Sequence, residues 1–124
     1  MNERLPFNPL QALEVATAFN AAGVDYLFIG KSGAILLGYP GTTQDVEVFP
    51  AKSMENGQRI VKALGVLGFA IDDDTQSAIL RGKDFVQLKV GPFDLDLVFA
   101  PDGIESFTSA KKRAIQEGLS LIHI

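Results

Sequence analysis

Four carboxylates sit in two similar strand-like stretches of this chain. Asp45 and Glu47 are two residues apart in QDVEVF, and Asp94 and Asp96 are two apart in FDLDLV. In an extended chain alternate side chains share a face, so each pair projects together, about 7 Å apart along the backbone. If the two strands are neighbours, three or four carboxylates converge. Like charges that close repel and disfavour the ionised form. A divalent cation removes the conflict. Mg²⁺ prefers hard oxygen ligands and takes one or two carboxylates together with substrate phosphates. Two such ions ~3.5–4 Å apart activate an attacking oxygen and stabilise a leaving one in phosphoryl or nucleotidyl transfer. The plainer alternative is that the acids form the solvent-facing side of amphipathic strands, and of Asp94 and Asp96 only one need bind metal.

A glycine turn offers the other half of such a site. Gly30-Lys31-Ser32-Gly33 follows the apolar run YLFI and opens a short helical stretch. Backbone N–H groups at a helix N-terminus bind phosphate; Ser32 adds a hydroxyl and Lys31 a cation. The motif lacks the spacing and the Lys-Ser/Thr ending of a Walker loop, and by itself it also suits a simple strand-to-helix turn.

The elements that must position these residues follow from periodicity and punctuation. Asn8 and Pro9 suit a helix start, and Ala12, Val15, Ala16, Phe19 and Ala22 recur at helical spacing, so a helix is predicted over Pro9–Ala22, stopped by Gly23. Val24–Ile29 is predicted as a buried strand, Ser32–Leu37 as a short helix, and Gln44–Phe49 as a strand broken by Pro50. Ser53 caps a helix over Met54–Leu67, with Ile60, Val61, Leu64 and Leu67 inward, Gly65 as its weak point and Gly68 as its end. Phe69–Ile71 is read as a short strand and Asp72-Asp73-Asp74 as a solvated turn. Ile79–Arg81, Phe85–Val90 and Phe93–Phe99 are read as strands joined by turns, and Ile104–Gln116 as a helix. The order α-β-α-β-α-β-β-β-α predicts an α+β domain, a mixed sheet with helices packed on one side.

The 124 residues fit one domain, and 47% hydrophobic content supplies a core. Eleven Lys and Arg against fifteen Asp and Glu leave a formal charge of −4, which is no general footprint for nucleic acid. Lys111-Lys112-Arg113 is a local basic patch, either a solvated helix face or a contact for RNA or a partner. The absence of cysteine excludes disulfides and thiolate metal sites. The N-terminal residues do not read as a signal peptide, and no run approaches the ~20 apolar residues of a membrane helix. A cytoplasmic protein with no membrane contact is expected.

IGKSGAILLG followed by TTQDVEVF resembles the signature of the nucleotidyltransferase superfamily with the DNA polymerase beta-like fold. That signature is an apolar strand ending in Gly and Ser, then Asp-x-Asp or Asp-x-Glu, then a third carboxylate on a later strand. The resemblance runs from Val15 to Arg113. Within the superfamily the chain is most similar to small bacterial members, including the toxins of abortive-infection (type IV) toxin–antitoxin systems. Gly30 and Ser32, with Lys31 between them, match the motif that holds the nucleotide phosphates, and Thr43 matches a common Thr two positions before the first Asp. Asp45 and Glu47 match the metal ligands of the first acidic strand. Asp96 is matched to the third carboxylate because DLVFAPDGIESF is similar to the segment that follows it in relatives; Asp94 is the alternative. Relatives often carry Arg where this chain has Gly41.

The resemblance implies transfer of a nucleoside monophosphate from a nucleoside triphosphate such as ATP to an acceptor hydroxyl, releasing pyrophosphate. Asp45 and Glu47 would hold two Mg²⁺ ions, and Asp96 would bind metal on the acceptor side and take the acceptor's proton. RNA or protein is the implied acceptor class, and a cognate antitoxin an implied partner. The alternative on the same fold is a non-catalytic nucleotide- or partner-binding module.

The last six residues, Leu119–Ile124 (LSLIHI), match one reading frame of a transposase adapter used in sequencing. They are read as adapter-derived, so the domain is taken as residues 1–118, truncated at its C-terminus, and His123 is set aside. Relatives continue with a further strand and helical segment, and a fragment without them is expected to be inactive.

Overall fold

A buried face of Ala12, Val15, Ala16 and Phe19 defines α1 (Pro9–Ala22), the predicted helix. The structure, a computed structural model, describes residues 9–29, 45–101, 106–117 and 120–122. After α1 come β1 (Tyr26–Phe28), β2 (Asp45–Pro50), α2 (Met54–Leu67), α3 (Asp73–Arg81), β3 (Phe85–Leu88), β4 (Asp94–Val98), α4 (Phe107–Lys112), β5 (Ile115–Glu117) and β6 (Ser120–Ile122). The predicted helix Ser32–Leu37 lies outside the described residues.

The strands form one mixed sheet of order β3-β4-β2-β1-β6-β5. β2 runs parallel to β4 and antiparallel to β1, and β3 is antiparallel to β4. One face carries Tyr26, Phe28, Val46, Val48, Leu95 and Leu97, which join residues of α1, α2 and α3 in the main core. The opposite face carries Leu27 and Phe49, which pack with Ala110 and Phe107 of α4. The domain is therefore α+β with helices on both faces, not on one. Among the described residues no helix is long and apolar enough to cross a membrane.

α2 spans the predicted residues. Ser53 Oγ accepts a hydrogen bond from Asn56 N at 3.0 Å, and Gly68 ends the helix at φ 96 in the left-handed region. Asn56, buried near the helix start, ties α2 to the sheet: its Oδ1 accepts from Asp25 N at 2.8 Å, and its Nδ2 donates to the carbonyls of Asp25 (3.0 Å) and Ala51 (2.7 Å).

Several expectations are corrected. Asp72–Asp74 is not a solvated turn. Asp72 Oδ1 accepts from Thr75 N at 2.7 Å and caps α3, with Asp73 and Asp74 in its first turn. Ile79–Arg81 is consequently helix rather than strand, and Gly82, at φ 67, closes it. Of the three strands read between Ile79 and Phe99, two exist, paired as the β3–β4 hairpin. Phe69–Ile71 is not a strand; Ala70 N donates to Val90 O. Pro50 does not break β2 but ends it, opposite Tyr26. Ala51 N donates to Asp25 O, so the backbone N of residue 50 points away from β1, toward a side where the β2–β4 register has already ended, and no ladder bond is lost. Of the helix read over Ile104–Gln116, residues 104–105 lie outside the described residues; α4, capped by Ser106, ends at Lys112, and Ile115–Glu117 is strand. Ser120–Ile122 pairs with β1 through Phe28 and Ile122; an apolar run beside a strand edge pairs in this way whatever its origin.

Candidate active site

The acidic stretches become neighbours because their apolar alternates demand it. Val46 and Val48 in β2, and Leu95 and Leu97 in β4, are all buried under the helices. The period of two then sends the intervening positions to the other face. The parallel register sets Asp45 opposite Asp94 and Glu47 opposite Asp96. Four acidic positions thus form a two-by-two block on one face. Strand geometry puts the Cα atoms of Asp45 and Asp96, one strand over and two residues along, about 8 Å apart.

Burial within the block is uneven. Asp96 is 5% exposed, whereas Glu47 and Asp94 are half-buried. The Oδ1 atoms of both Asp94 and Asp96 are shielded from solvent. Among the described side chains no three acids are drawn close enough to form a metal-holding group. The donor chemistry of the block nonetheless fits a hard divalent cation: carboxylate oxygens only, with negative charge concentrated at adjacent positions. Opposed like charges destabilise a sheet, and a cation between them would reverse the sign.

The neighbours of the block set its borders. Ile29 N donates to Glu47 O at 3.1 Å, so the chain leaves β1 beside Glu47, and it returns in β2 at Asp45. Residues 30–44 therefore leave from and return to the acidic block. Gly30, Lys31, Ser32 and Thr43 lie in that segment, outside the described residues. Further along the same face the acids give way to apolar packing, where the Phe49 and Phe107 rings meet edge to face at 5.2 Å.

On the other side the row ends at β3, the edge strand, where Gln87 is in register with Asp96. Gln87 belongs to none of the sequence motifs. Its signal is the alternation of FVQL, which puts Gln87 on the face opposite Val86 and Leu88, but only the pairing with β4 brings it beside Asp96.

Of the basic patch, Lys111 Nζ pairs with Asp25 Oδ1 at 2.9 Å and helps dock α4, while Lys112 and Arg113 are exposed. Tyr26 lies on the core face. Burial raises the pKa of its hydroxyl, which donates to Asn20 Oδ1 at 3.1 Å. It takes no part in the acidic block.

Comparison with protein-family models, with curated proteins and with solved structures finds no match for the chain.

Proposed function

We propose that the acidic block is the metal-binding half of a Mg²⁺-dependent nucleotidyltransferase site that moves a nucleoside monophosphate from a nucleoside triphosphate to an acceptor hydroxyl. The observation that carries this reading is the pairing of Asp45 with Asp94 and Glu47 with Asp96 on adjacent parallel strands. Bound Mg²⁺ would supply charge neutralisation for the transferring phosphate and activation of the attacking oxygen.

Asp45, Glu47 and Asp96 would hold the metal, with Asp94 beside them. Asp96, the most buried of the described acids of the block, would also receive the acceptor's proton. Gly30, Lys31, Ser32 and Thr43 belong to the segment that joins β1, the strand beside the block, to β2, which carries Asp45 and Glu47, and would hold the triphosphate. The sequence resemblance to polymerase beta-like nucleotidyltransferases supports the same assignment, and with it the narrower proposal of a toxin paired with an antitoxin.

The test is Mg²⁺-dependent binding of nucleoside triphosphate and release of pyrophosphate by the protein. Asp45→Ala and Asp96→Asn are expected to lower turnover by about a hundredfold or more, the scale of losing a principal electrostatic group. Unchanged binding and release in Asp45→Ala would show that the catalytic assignment is wrong. Triphosphate binding that depends on Mg²⁺ without pyrophosphate release, for any acceptor class, would identify a non-catalytic nucleotide-binding module instead.

A further inference from the structure

A polar concavity of about 280 Å³ runs along β3, the edge strand of the described sheet, against α3. Its lining includes Asp74, Thr75, Arg81, Lys83, Phe85 and Gln87. Gly82, in the left-handed conformation, turns the chain back after α3 and sets Arg81 and Lys83 on either side of the turn. The helix end does not consume these two cations. Two of its last four carbonyls, those of Ala78 and Ile79, are already capped by the backbone N–H groups of Lys83 and Gly82. Among the described residues neither side chain makes a hydrogen bond or ion pair, whereas Arg59 and Lys111 are committed to Glu55 and Asp25. Asp74 is seven residues before Arg81, about 10 Å away along the helix, so the cations dominate one end of the cleft.

The rest of the lining narrows the ligand. Phe85 is 46% exposed at the cationic end of the strand, a large apolar ring left at the surface of an edge. In single-stranded nucleic-acid sites, aromatic rings beside Arg or Lys hold each unit by stacking on the base while the cations meet the phosphate. Asp74 and Gln87 add carboxylate and amide groups suited to sugar hydroxyls. We propose that this cleft binds one nucleotide unit, with its phosphate at Arg81 and Lys83 and its base on Phe85. The site uses none of the four acidic positions and needs no divalent metal. Among the described residues it adjoins the acidic block at Gln87, whose strand neighbour is Asp96.

The experiment is a titration of the isotope-labelled chain with AMP in EDTA, followed by amide chemical shifts, with adenosine and inorganic phosphate as separate arms at matched ionic strength. Saturable shifts are expected at residues 75 and 81–87. Affinity is expected to fall about tenfold or more in Arg81→Gln/Lys83→Gln, a loss of ~1.4 kcal/mol. Phe85→Ala is expected to weaken AMP and leave inorganic phosphate unchanged. A single-stranded oligonucleotide that shifts the same amides more tightly than AMP would place the unit within a strand; equal affinity would make it a free nucleotide. Unsaturable shifts spread over all Lys and Arg neighbourhoods, or an unchanged titration in the double variant or in Lys83→Gln alone, would overturn the site. Asp45→Ala is expected to leave the AMP titration unaltered, so failure here is distinct from failure of the nucleotidyltransferase assignment.

Discussion

Glu47 and Asp96 stand directly opposite one another on neighbouring parallel strands. Their alternates, Val46, Val48, Leu95 and Leu97, are anchored in the core, so neither residue can turn away without moving apolar side chains into water. A sheet that sets like charges opposite one another bears a cost that a bound cation would offset.

That cost sets the first prediction. Mg²⁺ is expected to raise the melting temperature of the wild-type chain and to leave that of Asp96→Asn unchanged. Without Mg²⁺, Asp96→Asn is expected to be more stable than wild type by about 0.2–1 kcal/mol, the size of a directly opposed like-charge pair. Thermal melts of both proteins with Mg²⁺ and with EDTA provide the check, and an equal Mg²⁺ response in both would remove Asp96 from the metal site.

Two glycines of α2 are expected to respond with opposite signs. A Cβ at Gly65 meets nothing within 4 Å, so Gly65→Ala should gain the helix-propensity difference, about 1 kcal/mol. A Cβ at Gly57 would lie 3.0 Å from Ile79 O and Leu80 Cα, backbone atoms of α3 that cannot rotate aside. Gly57→Ala should therefore destabilise by roughly 1–2 kcal/mol despite the same propensity gain. Urea denaturation of the two variants tests the contrast.

Asn56 satisfies three backbone groups from inside the fold. Asn56→Ala is expected to cost roughly 3 kcal/mol or more, because it leaves buried donors and acceptors unmatched. Asn56→Asp keeps the acceptor for Asp25 N but faces two carbonyls with a carboxylate. Its deficit should be at least as large at neutral pH and should shrink as the pH falls and the carboxyl is protonated. A deficit independent of pH would contradict this geometry.

Asp72 gives the acid limb of stability a defined component. The Thr75 side chain, and then the Thr75 backbone N–H, hydrogen-bond the Asp72 carboxylate and hold its pKa below the ordinary 3.8. A depressed folded pKa means a contribution fully present above the unfolded value and lost as the pH falls through the folded one. As the pH falls below about 4, wild type should therefore lose stability more steeply than Asp72→Asn, which keeps a cap that does not titrate. Parallel acid limbs in the two proteins would contradict the cap assignment.

Local chemistry in the sequence was sufficient for α1 and α2, where helical spacing, a cap and a terminal glycine agree. It was sufficient too for the two acidic strands, whose period of two separates acids from aliphatics within each strand. The α3 signal was also present, in an Asp cap, an acidic first turn and a closing glycine. The short apolar run Ala78-Ile79-Leu80 competes with it, because so few residues fit a strand as well as a helix.

What no local pattern contains is which strands become neighbours. Pairing β2 with β4 across the intervening α2, α3 and β3 is decided by the burial of four aliphatic side chains against three helices. The same pairing brings the acids together, sets Gln87 beside Asp96 and leaves β3 as an edge. Residue type and period determined which way each acid faces within its own strand; the register that turns two pairs of acids into one block is a long-range contact, and only the packed tertiary structure decided it.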